Sequence, residues 1–485
     1  MPRGRTLVRK LPPKEDRQRK RPPPRTPVSR RGSELREVQS LIKELSSPDV
    51  AAARLAALRL GSLKDPRPRA ALEAVLTHPD AGLRLAAASA LGGIGRSESR
   101  VPLETRLNDP NWHVRAQVAY SLSRIRDPRS TLVLKRTLAQ DHSALVRNAC
   151  ALALGRIGDS RALPELERAL DDESDRVRRE AIIGIERCHD PKAAERVRRF
   201  LHDPARRVRI AATLVLGLRR DRESVPALLE FLSRADHWEK PALLVALGRI
   251  GTPESASALA HAADDAVRWV RVCALHGLAE MRAPETRGVA RAKLVDPAWA
   301  VRGAAALALG RVGEAPDADV LVPLLKDSNA WVRRAAVYGL GQLLATGYAS
   351  EIRAELADSD PEVQLAAIWA AGRLGDALAT PRLIRSLEAA RPPRGASLTP
   401  TLVEGDGAVR LVSDAEGRRF DALVEAIGFL AVRWNDPSAW RALDAARHRL
   451  TLAELDRPAR LPAPLGPGEG PKTRRDLFER PGRDR

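Results

Sequence analysis

The chain has 485 residues, of which 44% are hydrophobic and only 3% aromatic, and its formal net charge is +20. Ala and Leu dominate the apolar residues, which favours helices over strands. The three cysteines lie far apart within apolar runs, which argues against a disulfide framework or a cysteine-based metal cluster. No run reaches the ~18 apolar residues of a membrane span, and no secretory signal is visible, so we expect a cytoplasmic protein.

The N-terminal segment, residues 1–33, concentrates the positive charge. It holds 12 Lys/Arg against 2 Asp/Glu, a net charge of 12 − 2 = +10, together with many prolines. Such a composition cannot bury enough apolar surface to fold, so we predict a disordered basic tail that binds an acidic partner. Whether that partner is a protein, a nucleic acid or an anionic lipid is left open. The basic residues singled out are Arg17, Arg19, Lys20, Arg21, Arg30 and Arg31.

Residues 34–387 contain a regular repeat. A polar residue, usually Arg and in nine of ten units preceded by Val or Leu, recurs every 31 residues, with one step of 32. A fixed period in this range indicates a repeat architecture. The recurring positions are Arg84, Arg115, Arg147, Arg178, Arg209, Lys240, Arg271, Arg302, Arg333 and Gln364.

One repeat predicts two helices. Apolar residues spaced by 4, 4 and 3 from Val146 to Ile157 form one helical stripe, and Gly158 ends it. A second stripe begins at Leu163, where Pro164 is compatible with a first turn. Each unit is therefore expected to be a helical hairpin that buries its stripes against its neighbours.

An aspartate stands six residues before the recurring arginine in eight of the ten units. In a stack these acids can cap helix N-termini and pair with the arginine of their own or the next unit. We predict a structural ladder, with the alternative that the arginines form a phosphate-binding row. The ladder residues are Asp109, Arg115, Asp141, Arg147, Asp172, Arg178, Asp203, Arg209, Asp265, Arg271, Asp296, Arg302, Asp327 and Arg333.

The phrase D-x-x-x-x-V-R-x-x-A-x-x-A-L-G-x-I-G, nearly complete in residues 141–158, resembles HEAT repeats of the short type first associated with phycobilin lyases. The resemblance covers about residues 47–387. It implies an all-α fold, a right-handed α-solenoid of about eleven to twelve hairpins. It implies function only weakly, because such repeats occur in lyase subunits, hydroxylases, DNA-repair proteins and adaptors.

The residues five positions after the recurring arginine are mostly apolar or aromatic, although they point away from the core stripe. We predict that they line a groove for a protein partner, with burial between neighbouring helices as the alternative. The proposed contact residues are Tyr120, Leu214, His276, Tyr338 and Trp369.

Two further rows have structural explanations as well as functional ones. Tryptophans at 112, 269, 299 and 331 mark helix starts and either cover the core edge or stack on a base or partner. Arginines nine residues after the recurring position offset the helix dipole or contact a partner. This second arginine row comprises Arg124, Arg156, Arg187, Arg249, Arg311 and Arg373.

The 31-residue repeat is interrupted near the C-terminus. Residues 388–419 read as an insertion with a small β-hairpin, residues 420–450 as a last degenerate repeat with a capping helix, and residues 451–485 as a disordered Pro/Gly-rich tail. The unit with Lys240 lacks its aspartate, which predicts a missing ladder rung there.

No catalytic, metal-binding or cofactor-binding residues are predicted. None of the nine histidines is followed by Glu, which argues against the iron site of the similar hydroxylases. The sequence favours a non-enzymatic protein-binding scaffold. A nucleic-acid-associated protein is the alternative, and a subunit like a phycobilin lyase is the second alternative.

Overall fold

The computed structural model describes residues 27–389 and, beyond them, 401–402, 409–410, 423, 426–427, 438–439 and 441–442. The chain divides into two compact units, Met1–Cys188 and His189–Arg485. In both units the described residues form consecutive pairs of packed α-helices, the arrangement of an α-solenoid. Long helices of 11–14 residues alternate with shorter first helices in each pair after α2.

The first unit contains ten α-helices among its described residues. They are α1 (Pro27–Glu44), α2 (Val50–Leu63), α3 (Arg69–Val75), α4 (Ala81–Ile94), α5 (Arg100–Thr105), α6 (Trp112–Ile125), α7 (Thr131–Gln140), α8 (Ala144–Ile157), α9 (Leu163–Ala169) and α10 (Asp175–Arg187). Short 3₁₀ helices extend several of these: Ser97–Ser99, Arg106–Asn108, Pro128–Ser130 and Ser160–Ala162.

The described part of the second unit continues the alternation. Its α-helices are α11 (Ala193–Val197), α12 (Arg206–Leu218), α13 (Val225–Arg234), α14 (Lys240–Ile250), α15 (Pro253–Ala262), α16 (Arg268–Met281), α17 (Glu285–Lys293), α18 (Trp299–Val312), α19 (Ala318–Leu321), α20 (Ala330–Gln342), α21 (Ala349–Ala354), α22 (Pro361–Leu374) and α23 (Thr380–Ala389). The 3₁₀ helices are Arg198–His202, Arg222–Ser224, Ala315–Asp317, Val322–Lys326, Thr346–Tyr348, Glu355–Ala357 and Ala377–Ala379.

The repeat beginning at α8 shows why the sequence folds into pairs. Val146, Cys150 and Leu154 are fully buried along one stripe of α8. The helix ends at Gly158, whose φ of 73° is left-handed and therefore suits glycine. Pro164 lies in the first turn of α9, and the buried Leu166 of α9 packs against α10, where its Cδ2 lies 3.0 Å from a Cβ placed on Gly184. Both helices predicted from this stretch are confirmed, but the short helix that packs on α8 is α7, and α9 packs on α10.

Small residues set the distance between neighbouring long helices. A Cβ added at Gly248 of α14 would lie 2.5 Å from the Cα of Gly277 in α16, and one added at Gly310 of α18 would lie 2.6 Å from the Cα of Gly339 in α20. Even alanine at these glycines would push the backbones apart. Gly277 and Gly339 stand six positions after the recurring residue of their units, and the glycines that they contact stand eight positions after it in the preceding unit.

The N-terminal boundary differs from the prediction. Helix α1 begins at Pro27, inside the segment 1–33 predicted as a disordered tail, so the tail boundary was placed too late. The helix continues into Val38 and Leu41, which are buried and give it a reason to form. Residues 1–26, with Arg17, Arg19, Lys20 and Arg21, lie outside the described residues.

The C-terminal predictions are covered only at scattered positions. Strands β1 (Thr401–Leu402) and β2 (Val409–Arg410) pair antiparallel over two residues each. This pairing is too short to support the β-hairpin predicted for 388–419, which stays a prediction. In 420–450, Leu423, Ala426, Ile427 and Ala439 are helical and buried. Residues 443–485 lie outside the described part.

Candidate functional site

The recurring arginine connects two successive repeats. Arg147 of α8 donates Nε and Nη2 to the Asp172 carboxylate, at 2.7 and 3.0 Å, and Nη1 to the backbone carbonyl of Asp141, at 3.0 Å. Asp172 in turn accepts from the backbone N–H of Ser174, just before α10 begins, at 2.9 Å. One arginine therefore holds the turn of its own unit and the carboxylate that holds the turn before the next long helix.

The same ladder continues through both units. Eight side-chain ion pairs of this type have nitrogen–oxygen distances of 2.6–2.9 Å. They are Arg54–Asp80, Arg84–Asp109, Arg115–Asp141 and Arg147–Asp172 in the first unit, and Lys240–Asp265, Arg271–Asp296, Arg302–Asp327 and Arg333–Asp358 in the second. Two other predicted members make the local contacts: Arg178 donates to the carbonyl of Asp172 at 2.9 Å, and Asp203 accepts from Ala205 N–H at 2.8 Å.

The rung predicted to be missing is present with a different acid. Arg209 donates Nε to Glu239 at 2.9 Å and Nη1 to the carbonyl of Asp203 at 2.8 Å. Glu239 is buried and stands directly before α14. Its longer side chain reaches Arg209 from a position five residues later than the missing aspartate. The prediction that the ladder breaks at this unit was wrong.

The ladder arginines have their donors occupied. Arg333, for example, bonds both oxygens of Asp358 and the carbonyl of Asp327. The pKa of Asp358 lies below its ordinary value, chiefly because Arg333 donates to it, so the pair stays charged at neutral pH. A guanidinium already bonded on both edges has little capacity for a phosphate. The geometry therefore favours the structural interpretation over a phosphate-binding row.

The residues five positions after the ladder arginine define what we call the apolar row. Each of its ten members is partly or well exposed, and none is buried. Tyr120, Leu214 and Tyr338 are 37%, 40% and 40% exposed, so the row presents apolar surface to solvent. The row comprises Ser89, Tyr120, Leu152 and Ile183 in the first unit, and Leu214, Val245, His276, Leu307, Tyr338 and Trp369 in the second.

Tyr338 and Trp369 form a rigid aromatic platform. Their rings stack with centroids 4.2 Å apart and planes 8° from parallel. Arg373 places its guanidinium carbon 5.6 Å from the centroid of Trp369 and donates Nε to the carbonyl of Gly341 at 3.0 Å. The tryptophan ring also covers Gly341, which has no side chain to displace it. Two large aromatic side chains are therefore held against each other at the surface.

The tryptophans predicted at helix starts lie there and are accompanied by one that the sequence analysis passed over. Trp299 and Trp331 meet edge to face at 5.7 Å, and Trp331 packs over Gly303. Trp238, just before α14, is among the most exposed apolar residues described. Its position two residues before Lys240 matches Trp269 and Trp331 and was the available signal. We call Trp238, Trp269, Trp299 and Trp331 the tryptophan edge of the second unit.

The second arginine row has different environments in the two units. Arg311 forms an exposed pair with Glu280 at 3.4 Å, and Arg373 lies against Trp369. In the first unit, Arg124, Arg156 and Arg187 are all exposed and have no ion pair with a carboxylate among the described residues.

The described residues lack two other kinds of site. No group of three His, Cys, Asp or Glu side chains there is arranged to hold a metal ion. No helix among those residues has the length and hydropathy needed to cross a membrane.

Known structures that resemble this chain include three distant likenesses. The complex of CpcE and CpcF of phycocyanin lyase from Nostoc sp. is 22% identical over 56% of this chain and 100% of that chain, with a TM-score of 0.33. Kap95p, from a structure with RanGDP, is 13% identical over 85% of this chain and 62% of that one, with a TM-score of 0.49. Importin beta is 14% identical over 84% of this chain and 60% of that one, with a TM-score of 0.47.

The family is shown by the sequence itself. No curated protein matches the chain. The HEAT-repeat family profile, however, matches six overlapping segments: residues 38–108, 101–186, 166–239, 194–272, 268–341 and 318–398. Together they cover well over half of the chain, in agreement with the repeated helix pairs and the ladder. The chain belongs to the HEAT-repeat family.

Proposed function

We propose that this chain is a non-enzymatic protein-binding scaffold, and that the apolar row of its second unit binds a helix or extended segment of a protein partner. The observation that carries the proposal is the stacked pair Tyr338–Trp369, preformed and partly exposed. Large aromatic side chains held rigid lose little entropy on binding, which makes them effective anchors at protein interfaces.

The rest of the apolar row extends this platform along neighbouring long helices. Leu307, His276, Val245 and Leu214 stand at the same position of α18, α16, α14 and α12. A partner that follows the row meets one side chain per repeat, and each presents apolar area to solvent in the free protein.

A nucleic-acid partner is the second candidate, favoured by the tryptophan edge, since exposed aromatic rings can stack on bases. The adjacent ladder arginines are bonded to carboxylates and backbone carbonyls, however, which leaves the edge without free cations from that row. We therefore place protein binding first. The basic segment 1–33 is proposed to add affinity for an acidic partner.

The test compares the variant Tyr338→Glu/Trp369→Glu with a matched control, Val295→Glu/Leu378→Glu. The control places the same charges at two strongly exposed apolar residues of the same unit, away from the row. Each of the three proteins is used as bait in a pull-down from an extract of the source organism. Proteins that bind wild type and control but not the row variant are then purified, and their affinity for each bait is measured directly. We expect the row variant to weaken direct binding by about 100-fold, since each anchor contributes about 1–2 kcal/mol.

Equal recovery and equal affinity with all three proteins would contradict the proposal. Because Trp369 covers Gly341, the double variant is checked for folding by its thermal transition. Tyr338→Glu alone, at an exposed position, serves as the second variant.

A further inference from the structure

In the first unit, four arginines gather where three long helices end. Arg124 lies in the last turn of α6, Arg126 caps that helix, Arg156 lies in the last turn of α8 and Arg187 in the last turn of α10. We call these four residues the arginine cluster. All four side chains are exposed.

The helix ends are fixed against each other. Arg156 Nη1 donates to Ser123 Oγ of α6 at 3.3 Å, and Ser123 Oγ donates to the carbonyl of Tyr120 at 2.6 Å. On the other side, the carbonyl oxygen of Arg187 lies 3.3 Å from where a Cβ on Gly158 would be. Close packing at glycine thus brings the end of α10 against that of α8.

The positive charges of the cluster act on one another. The pKa of Arg156 is lowered, first by desolvation and then by the charges of Arg187, Arg126 and Arg124, with Glu180 opposing the effect. Glu180 is buried and bonded to Arg179. The cluster contrasts with the ladder of the same helices, where Arg115 and Arg147 each have a carboxylate partner.

The apolar row passes directly beside this cluster. Tyr120, Leu152 and Ile183 stand four residues before Arg124, Arg156 and Arg187, which is about one helical turn away on the same face. Tyr120 is held by Asn148, whose Nδ2 donates to the phenol oxygen at 3.3 Å. Each of the three helices therefore presents an apolar side chain and, next to it, a guanidinium group.

We infer that this surface binds an acidic, amphipathic segment of a protein partner. Carboxylates of the segment pair with Arg124, Arg156 and Arg187, and its apolar side chains pack on Tyr120, Leu152 and Ile183. Charge complementarity selects an acidic ligand. The apolar half selects a peptide over a nucleic acid, because Leu152 and Ile183 offer no ring on which a base can stack.

This inference rests on the proposed scaffold function but uses a different unit of the chain. Variants of the arginine cluster test it alone, whereas Tyr338→Glu/Trp369→Glu tests the platform of the second unit. The two proposals therefore fail independently.

The experiment uses the full chain and three fluorescein-labelled probes: a 16-residue peptide of alternating Glu and Leu, a Glu-only peptide of equal charge, and a 20-nucleotide thymidine strand. Binding is measured by anisotropy. The variant Arg124→Gln/Arg156→Gln/Arg187→Gln is compared with Arg136→Gln/Arg168→Gln/Arg176→Gln, which removes the same charge from exposed arginines of the first unit on the short helices and at the opposite end of α10.

We expect wild type and control to bind the Glu/Leu peptide equally, and the cluster variant to bind it at least about tenfold more weakly, since each exposed ion pair contributes modestly. Leu152→Gln is expected to weaken binding of the Glu/Leu peptide but leave binding of the Glu-only peptide unchanged. Added salt is expected to weaken binding of both peptides.

Three results would overturn the inference. The cluster variant and its control could bind the Glu/Leu peptide alike. Wild type could bind the Glu-only peptide as tightly as the Glu/Leu peptide, which would show that the apolar side chains contribute nothing to binding. The thymidine strand could bind more tightly than the peptides with the same dependence on the cluster, which assigns the surface to nucleic acid.

Discussion

Two arginines of helix α8 show how differently one residue type is used in this protein. Arg147 is bonded to Asp172 and to the carbonyl of Asp141, and its side chain is largely buried. Arg156, nine residues later, is exposed and surrounded by other arginines. The first position stabilises the repeat and the second leaves its charge exposed at the surface, so net charge alone does not reveal which arginines are already paired.

Substituting these two residues tests the difference between their roles most directly. We expect Arg147→Gln to lower the free energy of unfolding by about 2 kcal/mol, because it leaves the Asp172 carboxylate without its cation in a partly buried site. Arg156→Gln is the matched control and is expected to change stability by less than about 0.5 kcal/mol. Urea denaturation followed by circular dichroism measures both. Equal losses would contradict the distinction.

The rung at Glu239 tests whether a glutamate can stabilise the ladder in place of an aspartate. Glu239→Gln is expected to destabilise the second unit by about 1.5 kcal/mol, since a buried charge pair with Arg209 is reduced to a neutral hydrogen bond. Glu230→Gln removes an exposed partner of Arg234 and serves as control, with an expected change below about 0.5 kcal/mol. Hydrogen exchange of the amides at the start of α14 locates the effect. Unchanged protection there would show that Glu239 does not act as a rung.

Glu355 adds a pH-dependent contact to the Arg333–Asp358 rung. Burial and a hydrogen bond to Asp358 raise the pKa of Glu355 to about 7. The folded protein then binds this proton more tightly than the unfolded chain, so the contribution is fully present below pH ~4.3 and is lost as pH rises through about 7.

Glu355→Gln is expected to remove that pH dependence and to raise stability at pH 8 by about 1 kcal/mol, discounted for partial exposure. Thermal melts at pH 5 and pH 8 measure the difference. Asp358 is left unchanged in this variant. A wild-type difference between the two pH values that survives the substitution would contradict the assignment.

The smallest expected effect concerns Arg126 in the arginine cluster. Its φ of 56° is left-handed, whereas the equivalent position at the end of α8 is Gly158. Arg126→Gly relieves the strain of this left-handed conformation, but glycine also raises the conformational entropy of the unfolded chain. The net effect is expected to be a gain of about 0.5 kcal/mol in the free energy of unfolding. The variant should also weaken binding of the Glu/Leu peptide. The reciprocal Gly158→Arg is the control and is expected to destabilise.

The repeat, its helix pairs and the ladder could be predicted because they depend on residue spacing. The period placed Arg147 on α8, and the turn signal at Gly158 placed its end. The Glu239 rung could not be read from spacing, because a longer side chain reaches the same arginine from another position. Nor could spacing decide between exposure and burial of the apolar row, since that depends on how closely neighbouring helices pack at residues such as Gly248.

The candidate surfaces were only partly foreseeable. Tyr120, Leu214, His276, Tyr338 and Trp369 were selected by their common position, and all are at least partly exposed. The stacking of Tyr338 on Trp369 and the gathering of four arginines require residues from different repeats to approach each other. Their separation in sequence carries no direct signal of that contact.

The direction of each ladder bond has a consequence for how the protein is made. In the rungs described above the cation precedes its acid along the chain: Arg302 comes before Asp327, and Arg333 before Asp358. Since synthesis proceeds from the N-terminus, every new aspartate leaves the ribosome when the guanidinium that receives it has already been made. A nascent chain can thus add one repeat at a time, and a truncated one ends on a solvated arginine instead of an uncompensated acid.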